Sequence, residues 1–218
     1  MQAKDSSGKQ GVGQGAGRKG RPSFTETGRR AQIVAAAIDV IAESGYHRAS
    51  FAKIAERAGL SSTGMISYHF DGRDDLMREV VAEVMRLADS YVRPRVIAHG
   101  GYAARLRAYV ESNLDLVADH PRHMAAITGV LTNLRGDEPG AAAFLGAAEA
   151  GLAAQVEQLR RGQQAGEFCD FDPWVMVRAI RAAIDDVVRR AAHDRDLDAR
   201  AAGRKLADLF DRATRRTS

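Results

Sequence analysis

The sequence predicts an all-α fold of about nine helices, and three observations carry that expectation. The chain is rich in Ala, Leu, Arg, Glu and Asp, while aromatic residues make up only 6% of its 218 positions, a composition that favours helix over sheet. Apolar residues recur at i, i+3, i+4 and i+7 from Ile33 to Phe210, the spacing of a one-sided helix. Between these stretches stand helix stops and starts, such as Ser44-Gly45, Ala58-Gly59 and Asp172-Pro173.

Residues 1–24 are Gly-, Ser- and Lys-rich without apolar periodicity, so they cannot bury enough surface to offset their ordering entropy and read as a disordered basic arm. Within it, Lys19-Gly20-Arg21-Pro22 resembles the core of an AT-hook that lays Arg21 into a narrow minor groove; a plain basic linker fits the same residues. A first helix over 27–44 carries Ile33, Ala37, Val40 and Ile41 on one face. Next come two short helices sharing a tight turn. In the first, Phe51, Ile54, Ala55 and Ala58 form the inner face behind a Ser50 cap; Gly59 ends it and Leu60 folds back on it. The second starts at Ser61 or Ser62 and runs through Phe70, with Met65, Ile66, His69 and Phe70 inward and Thr63, Gly64, Ser67 and Tyr68 outward. Small polar and aromatic groups on the exposed side of the second helix of such a pair make a helix-turn-helix, which sets that helix into the DNA major groove.

A fourth helix holds Leu76, Val80, Val84, Leu87 and Tyr91 in register and is expected to end before Pro94. A fifth spans about 102–119 and a sixth about 121–134, opened by Pro121. A seventh is placed at about 142–164, an eighth from the Asp172-Pro173 start with Trp174, Val177, Ile180, Ile184 and Val188, and a last one at about 198–215 with Leu206, Leu209 and Phe210. The domain boundaries expected are thus an arm (1–24), a helix-turn-helix domain (27–87) and a second helical domain (88–218).

Charge narrows the partner class. Net charge is only +4, yet residues 1–30 hold seven Lys and Arg against Asp5 and Glu26, more than the whole excess, which points to a polyanion for that end alone. A single cysteine, Cys169, excludes an intramolecular disulfide framework and fits a reducing compartment. Neither a membrane-length apolar run nor a secretory h-region is present, so a cytoplasmic location with no membrane partner is expected. Enzyme chemistry finds no support. His120 and His123 lie near Asp119 without a cysteine, Asp185 and Asp186 are adjacent and point apart, and no local cation activates Cys169; no metal, cofactor or catalytic residue is expected.

Several motifs together resemble the TetR family of tetracycline-repressor-type regulators. They are Ser44-Gly45-Tyr46, Ile54-Ala55, Ala58-Gly59-Leu60-Ser61, Tyr68-His69-Phe70, and Arg73 and Leu76 after them. The likeness covers about residues 27–87. It departs at one point, with eight residues between Ser61 and Phe70 where the commoner family version has seven. The resemblance implies a homodimer whose readers bind successive major grooves of a palindromic operator on double-stranded DNA, and a small-molecule effector in the C-terminal domain that alters reader spacing, more in the manner of a repressor. The DNA-contact candidates are Arg21, Arg29, Ser50, Lys53, Ser62, Thr63, Gly64, Ser67, Tyr68, His69 and Arg73. Of these Ser50, Lys53 and Arg73 suit phosphate, and Thr63, Gly64, Ser67 and Tyr68 face bases, with phosphate contact standing equally beside base contact for Tyr68 and His69 near the helix end. For His69 a half-buried structural role, and for Lys53 a solvated surface charge, stand beside the DNA reading. Leu106, Tyr109, Asn113, Met124, Ile127, Phe144 and Trp174 are the cavity candidates between helices 5 and 8, with plain core as the other reading. Ile180, Ile184, Val188, Leu206 and Phe210 are the candidates for a four-helix dimer seam. The alternative function is a constitutive dimeric DNA-binding protein without an effector.

Overall fold

A computed structural model describes residues 24–133, 139–194 and 196–216. Among them are nine α-helices. They are α1 (Phe24–Ser44), α2 (Phe51–Arg57), α3 (Gly64–His69), α4 (Arg73–Ile97), α5 (Tyr102–Asp119), α6 (Pro121–Asn133), α7 (Pro139–Gln164), α8 (Pro173–Ala191) and α9 (Ala199–Thr214). A 3₁₀ turn, Tyr46–Arg48, joins α1 to α2. No strand is present among the described residues; Phe168 and Arg215 form one isolated antiparallel bridge.

The helix boundaries follow from capping chemistry. Gly45, at φ 83°, ends α1 in a conformation that a Cβ would disfavour. After α2 the Gly59 N–H donates to the Glu56 carbonyl and the Leu60 N–H to the Ala55 carbonyl, at 3.0 and 2.8 Å, the paired bonds of a Schellman motif around a left-handed glycine. Asp172 caps α8 by accepting from the Trp174 and Val175 N–H groups, and Asp198 caps α9 by accepting from Ala201.

Some boundaries differ from those the sequence predicts. α1 begins at Phe24 and α7 at Pro139, each about one turn earlier than expected. α4 does not stop before Pro94 but continues to Ile97. Proline at that point removes only the bond to the Ser90 carbonyl. Ser90 and Pro94 are both exposed, on the solvent side of the helix where a carbonyl without an internal donor costs little, and the Pro94 carbonyl accepts from Ala98 at 3.2 Å. The boundary expected at 87 and 88 therefore falls inside an unbroken helix, and one apolar core runs from Ile33 on α1 to Phe210 on α9.

The body is built around α5, which packs against α4, α8 and α9 and buries Val110 and Leu114 completely. Gly203 lets α9 approach it: a Cβ there would lie 3.1 Å from that of Leu114. α6 crosses the face of α1, with Ala126 and Val130 fully buried.

Candidate nucleic-acid interface

The reader is built upward from the α2–α3 pair. Ile54 and Ile66 are fully buried and Phe70 nearly so, while Ala55 and Ala58 complete the inner face. At about 25 cal/mol per Å², burying three such large side chains supplies several kcal/mol to an element only twenty residues long. The outer side carries Ser62, Thr63, Gly64, Ser67 and Tyr68, all exposed, and Tyr68 retains 79% of its surface. A large aromatic hydroxyl left in water on an otherwise apolar-faced helix has no role in the core; it is available to a ligand outside.

α3 itself is shorter than predicted. It begins at Gly64, not at Ser61 or Ser62, and its first turn hangs on the Ser62 and Thr63 carbonyls, which accept from Met65 and from Ile66 and Ser67. Ser62 and Thr63 therefore stand before the helix and Ser67 and Tyr68 on it.

The remaining predicted contacts separate into two groups. Ser50 and Lys53 are exposed at the start of α2. The Ser50 hydroxyl accepts from the Lys53 N–H at 3.4 Å, which leaves its own proton free to donate outward. Arg29 lies on the first turns of α1 and donates to Gln32 at 2.7 Å. His69 and Arg73, by contrast, turn inward. His69 is half-buried, with a buried Nδ1 that has no hydrogen-bond partner and a ring edge-on to Tyr68 at 5.0 Å. Arg73 donates to the Ala49 and Tyr46 carbonyls at 2.5 Å and lies 4.5 Å over the Tyr46 ring, so its guanidinium fastens α4 to the turn before α2. Arg21 lies outside the described residues.

Two residues that hold the reader together were not singled out by the sequence. Arg30 donates to the His69 carbonyl at the end of α3, lies 4.3 Å over the Phe70 ring and sits 3.6 Å from Glu79 on α4. Gln32 donates to the Ala58 carbonyl at 2.7 Å. Both fasten α1 to helix ends far along the chain; in the sequence Arg30 counts only as one more basic residue of the N-terminal run.

The cavity candidates with described side chains fall at different places. A cleft of about 320 Å³ opens between the α5–α6 elbow and the α8–α9 elbow, and among the described side chains of the seven only Met124 lines it, alongside Val117, Leu197, Asp194 and Arg200. Leu106 belongs to a separate crevice between α5 and α9. Tyr109, Asn113, Ile127 and Trp174 are half-buried, and the Asn113 amide donates to the Tyr109 carbonyl of its own helix at 2.8 Å. The Phe144 side chain lies outside the described residues.

The expected dimer seam needs correction. Ile180, Ile184 and Phe210 are 2%, 0% and 7% exposed within a single chain, because the strongest apolar stripe of α8 and α9 turns toward α5. Only Val188 and Leu206 of the five keep surface, and the exposed large apolar residues of these helices are Val175 and Leu209.

Other side chains act as ordinary surface groups. Asp185 and Asp186 pair with Arg181 and Arg189 on their own helix. The His120 and His123 rings meet edge to face at 5.7 Å, and among the described residues no three potential ligands gather around a metal position. No helix among them is long and apolar enough to cross a membrane.

This arrangement defines an all-helical protein with a helix-turn-helix held at its N-terminal end by α1 and α4. Residues 33–80 match the family model described as bacterial regulatory proteins, tetR family. The regulator BetI of Paraburkholderia phymatum is 36% identical over 89 residues, which span 40% of this chain and 45% of BetI, so the likeness covers less than half of that relative. Solved structures extend the fold to nearly the whole chain. A protein from Saccharomonospora viridis, described as a transcriptional regulator in complex with choline, superposes with a TM-score of 0.77 at 22% identity over 88% of this chain and 100% of its own. AibR, solved with isovaleryl coenzyme A and operator DNA, gives 0.71 at 19% identity over 83% and 97%.

Proposed function

We propose that the chain is a cytoplasmic, dimeric regulator of transcription that reads a palindromic operator with α3 and is released from it by a small molecule. One observation carries this: Ser67 and the 79%-exposed Tyr68 stand side by side on the outer face of a helix whose inner face is locked by Ile66 and Phe70. Rigid packing behind and hydrogen-bonding groups in front is what base readout requires. Ser67, Tyr68 and Thr63 are assigned to base edges and Gly64 to close approach of the backbone. Ser50, Lys53 and Arg29 are assigned to phosphate, where they fix register without reading sequence. His69 and Arg73 are assigned to positioning, since their polar groups turn inward. The seam is assigned to the surface of α8 and α9 that a single chain leaves uncovered, with Val188, Leu206, Leu209 and Val175. The cleft bounded by Met124 is the proposed effector site, because its wall is α6, the helix that lies across α1.

The test is a selection from a random duplex library with the full chain. Enrichment of a palindrome with half-sites about one helical turn, ~34 Å, apart supports the reading. Recovery of no common sequence from the library overturns it. Repeating the selection with cell extract asks whether a metabolite releases the duplex; release by none favours the constitutive alternative.

A further inference from the structure

The geometry points to Arg122, on the first turn of α6 and outside the segment that matches the family, as a positioning residue that fixes the angle of the reader to the body. Asp39 and Glu43 lie one turn apart on α1 and present two carboxylates on one face. From the reader side Arg57, the last residue of α2, reaches both: its Nη1 lies 2.9 Å from a Glu43 oxygen and 3.6 Å from Asp39. From the body side Arg122 reaches the same two carboxylates, at 2.9 Å to Asp39 and 3.8 Å to Glu43. Two guanidiniums from different parts of the fold thus share one acidic pair. The Arg57 hydrogen bond, with the Arg57 and Arg122 charges adding to it, holds the Glu43 carboxyl below its ordinary range.

A second contact turns this network into an angular stop. Gly129 lies seven residues along α6, where a Cβ would stand 3.4 Å from the Ile41 side chain on α1. Seven residues of helix cover about 10 Å. α4 is continuous between reader and body and α6 packs on α1 through an apolar face that buries Ala126 and Val130, so Arg122 adds a polar hold at the start of α6, about 10 Å along that helix from the close approach at Gly129. Removing Arg122 leaves the Arg57 pairs in place. The reader therefore keeps its internal geometry and its apolar packing on α6 and loses only the polar hold at the start of that helix.

The inference rests on the proposed reading as a dimeric DNA binder, and it predicts an effect on half-site spacing and none on half-site recognition. Each added base pair moves one half-site by ~3.4 Å and turns it by about 35°, so a dimer with fixed readers discriminates against altered spacing. Exposed ion pairs shift equilibria by no more than about fivefold, which sets the scale. With the full chain and its selected operator, affinity is measured for that duplex, for versions one base pair longer and shorter, and for a single half-site. Arg122→Ala is expected to bind the half-site as the unsubstituted chain does and to lose about threefold to fivefold of its spacing discrimination. Arg122→Lys is expected to keep most of the discrimination, and Arg122→Glu, which sets a third carboxylate against Asp39 and Glu43, to lose more than alanine. Unchanged discrimination in both the alanine and glutamate variants overturns the inference. So does weaker half-site binding, which would place Arg122 inside the reader's own function. If the unsubstituted chain binds no duplex, the DNA reading itself fails, a result distinct from either.

Discussion

The reader and the body are both helical and share one core, yet they are held in different ways. In the reader, helices of six and seven residues are too short to persist alone. Their ends are therefore fastened by side chains from elsewhere: Arg30 on the His69 carbonyl, Gln32 on the Ala58 carbonyl and Arg73 on the Ala49 and Tyr46 carbonyls. In the body, helices of 13 to 26 residues rely on apolar stripes and close approach at small residues, and their ion pairs lie mostly within one helix. The difference teaches that the reader is rigid through its termini and the body through its faces. On the proposed function, a surface matched to DNA gains from the first, and a region that accommodates a ligand tolerates the second.

The largest expected effect breaks the reader. Phe70 is 2% exposed at the end of α3, beneath the Arg30 guanidinium, and Phe70→Ala should cost about 3–5 kcal/mol by the transfer and cavity terms together. Urea unfolding of the full chain measures it; a loss under 1 kcal/mol would mean that α3 is not packed as described. The matching test in the body is Gly162→Ala. A Cβ there would overlap the ring of Phe168, itself 4% exposed, and approach the Tyr102 Cβ to 3.0 Å, so overpacking should cost about 1–3 kcal/mol. Both losses appear in the same unfolding transition if the core is continuous, and in two separate transitions if it is not.

Smaller effects sharpen the comparison. Lys53→Ala, on the exposed side of α2, should leave stability unchanged and lower the slope of log affinity against log salt by about one, read from titrations at several salt concentrations. An unaltered slope would mark Lys53 as a solvated charge. At the junction of the two regions, burial and then the His120 charge hold the His123 imidazole below its ordinary pKa. A base depressed in the folded state binds fewer protons than in the unfolded chain, so its contribution is intact above about pH 6.5 and is lost as pH falls below it. Thermal unfolding between pH 7.5 and 5.5 should show that decline, and His123→Gln should flatten it.

Legibility in the sequence followed the same division. The reader's inner and outer faces were readable because the signals are local: a serine cap, a glycine with φ of 64° and apolar residues at helical spacing. Its fastenings were not. Arg30 meets His69 across 39 residues and Arg122 meets Asp39 across 83, and no periodicity links such positions. In the body, the stripe on α8 and α9 correctly marked residues that are buried, but periodicity does not say against what. Ile180, Ile184 and Phe210 turn to the chain's own core, and the more exposed Leu209 and Val175 are what remain outside. Pro94 misled for a related reason, since a helix passes through proline where the orphaned carbonyl can face water.

The central claim, that α3 reads DNA with the outer face bearing Ser67 and Tyr68, is tested most directly by one comparison. Fluorescence anisotropy titrations with the selected operator and with an unrelated duplex of equal length are run for the unsubstituted chain and for the double variant Ser67→Ala, Tyr68→Ala. The account predicts that the double variant loses about 1–3 kcal/mol of discrimination per base contact removed while its affinity for the unrelated duplex is kept. An operator isotherm that the two substitutions leave unchanged would contradict it.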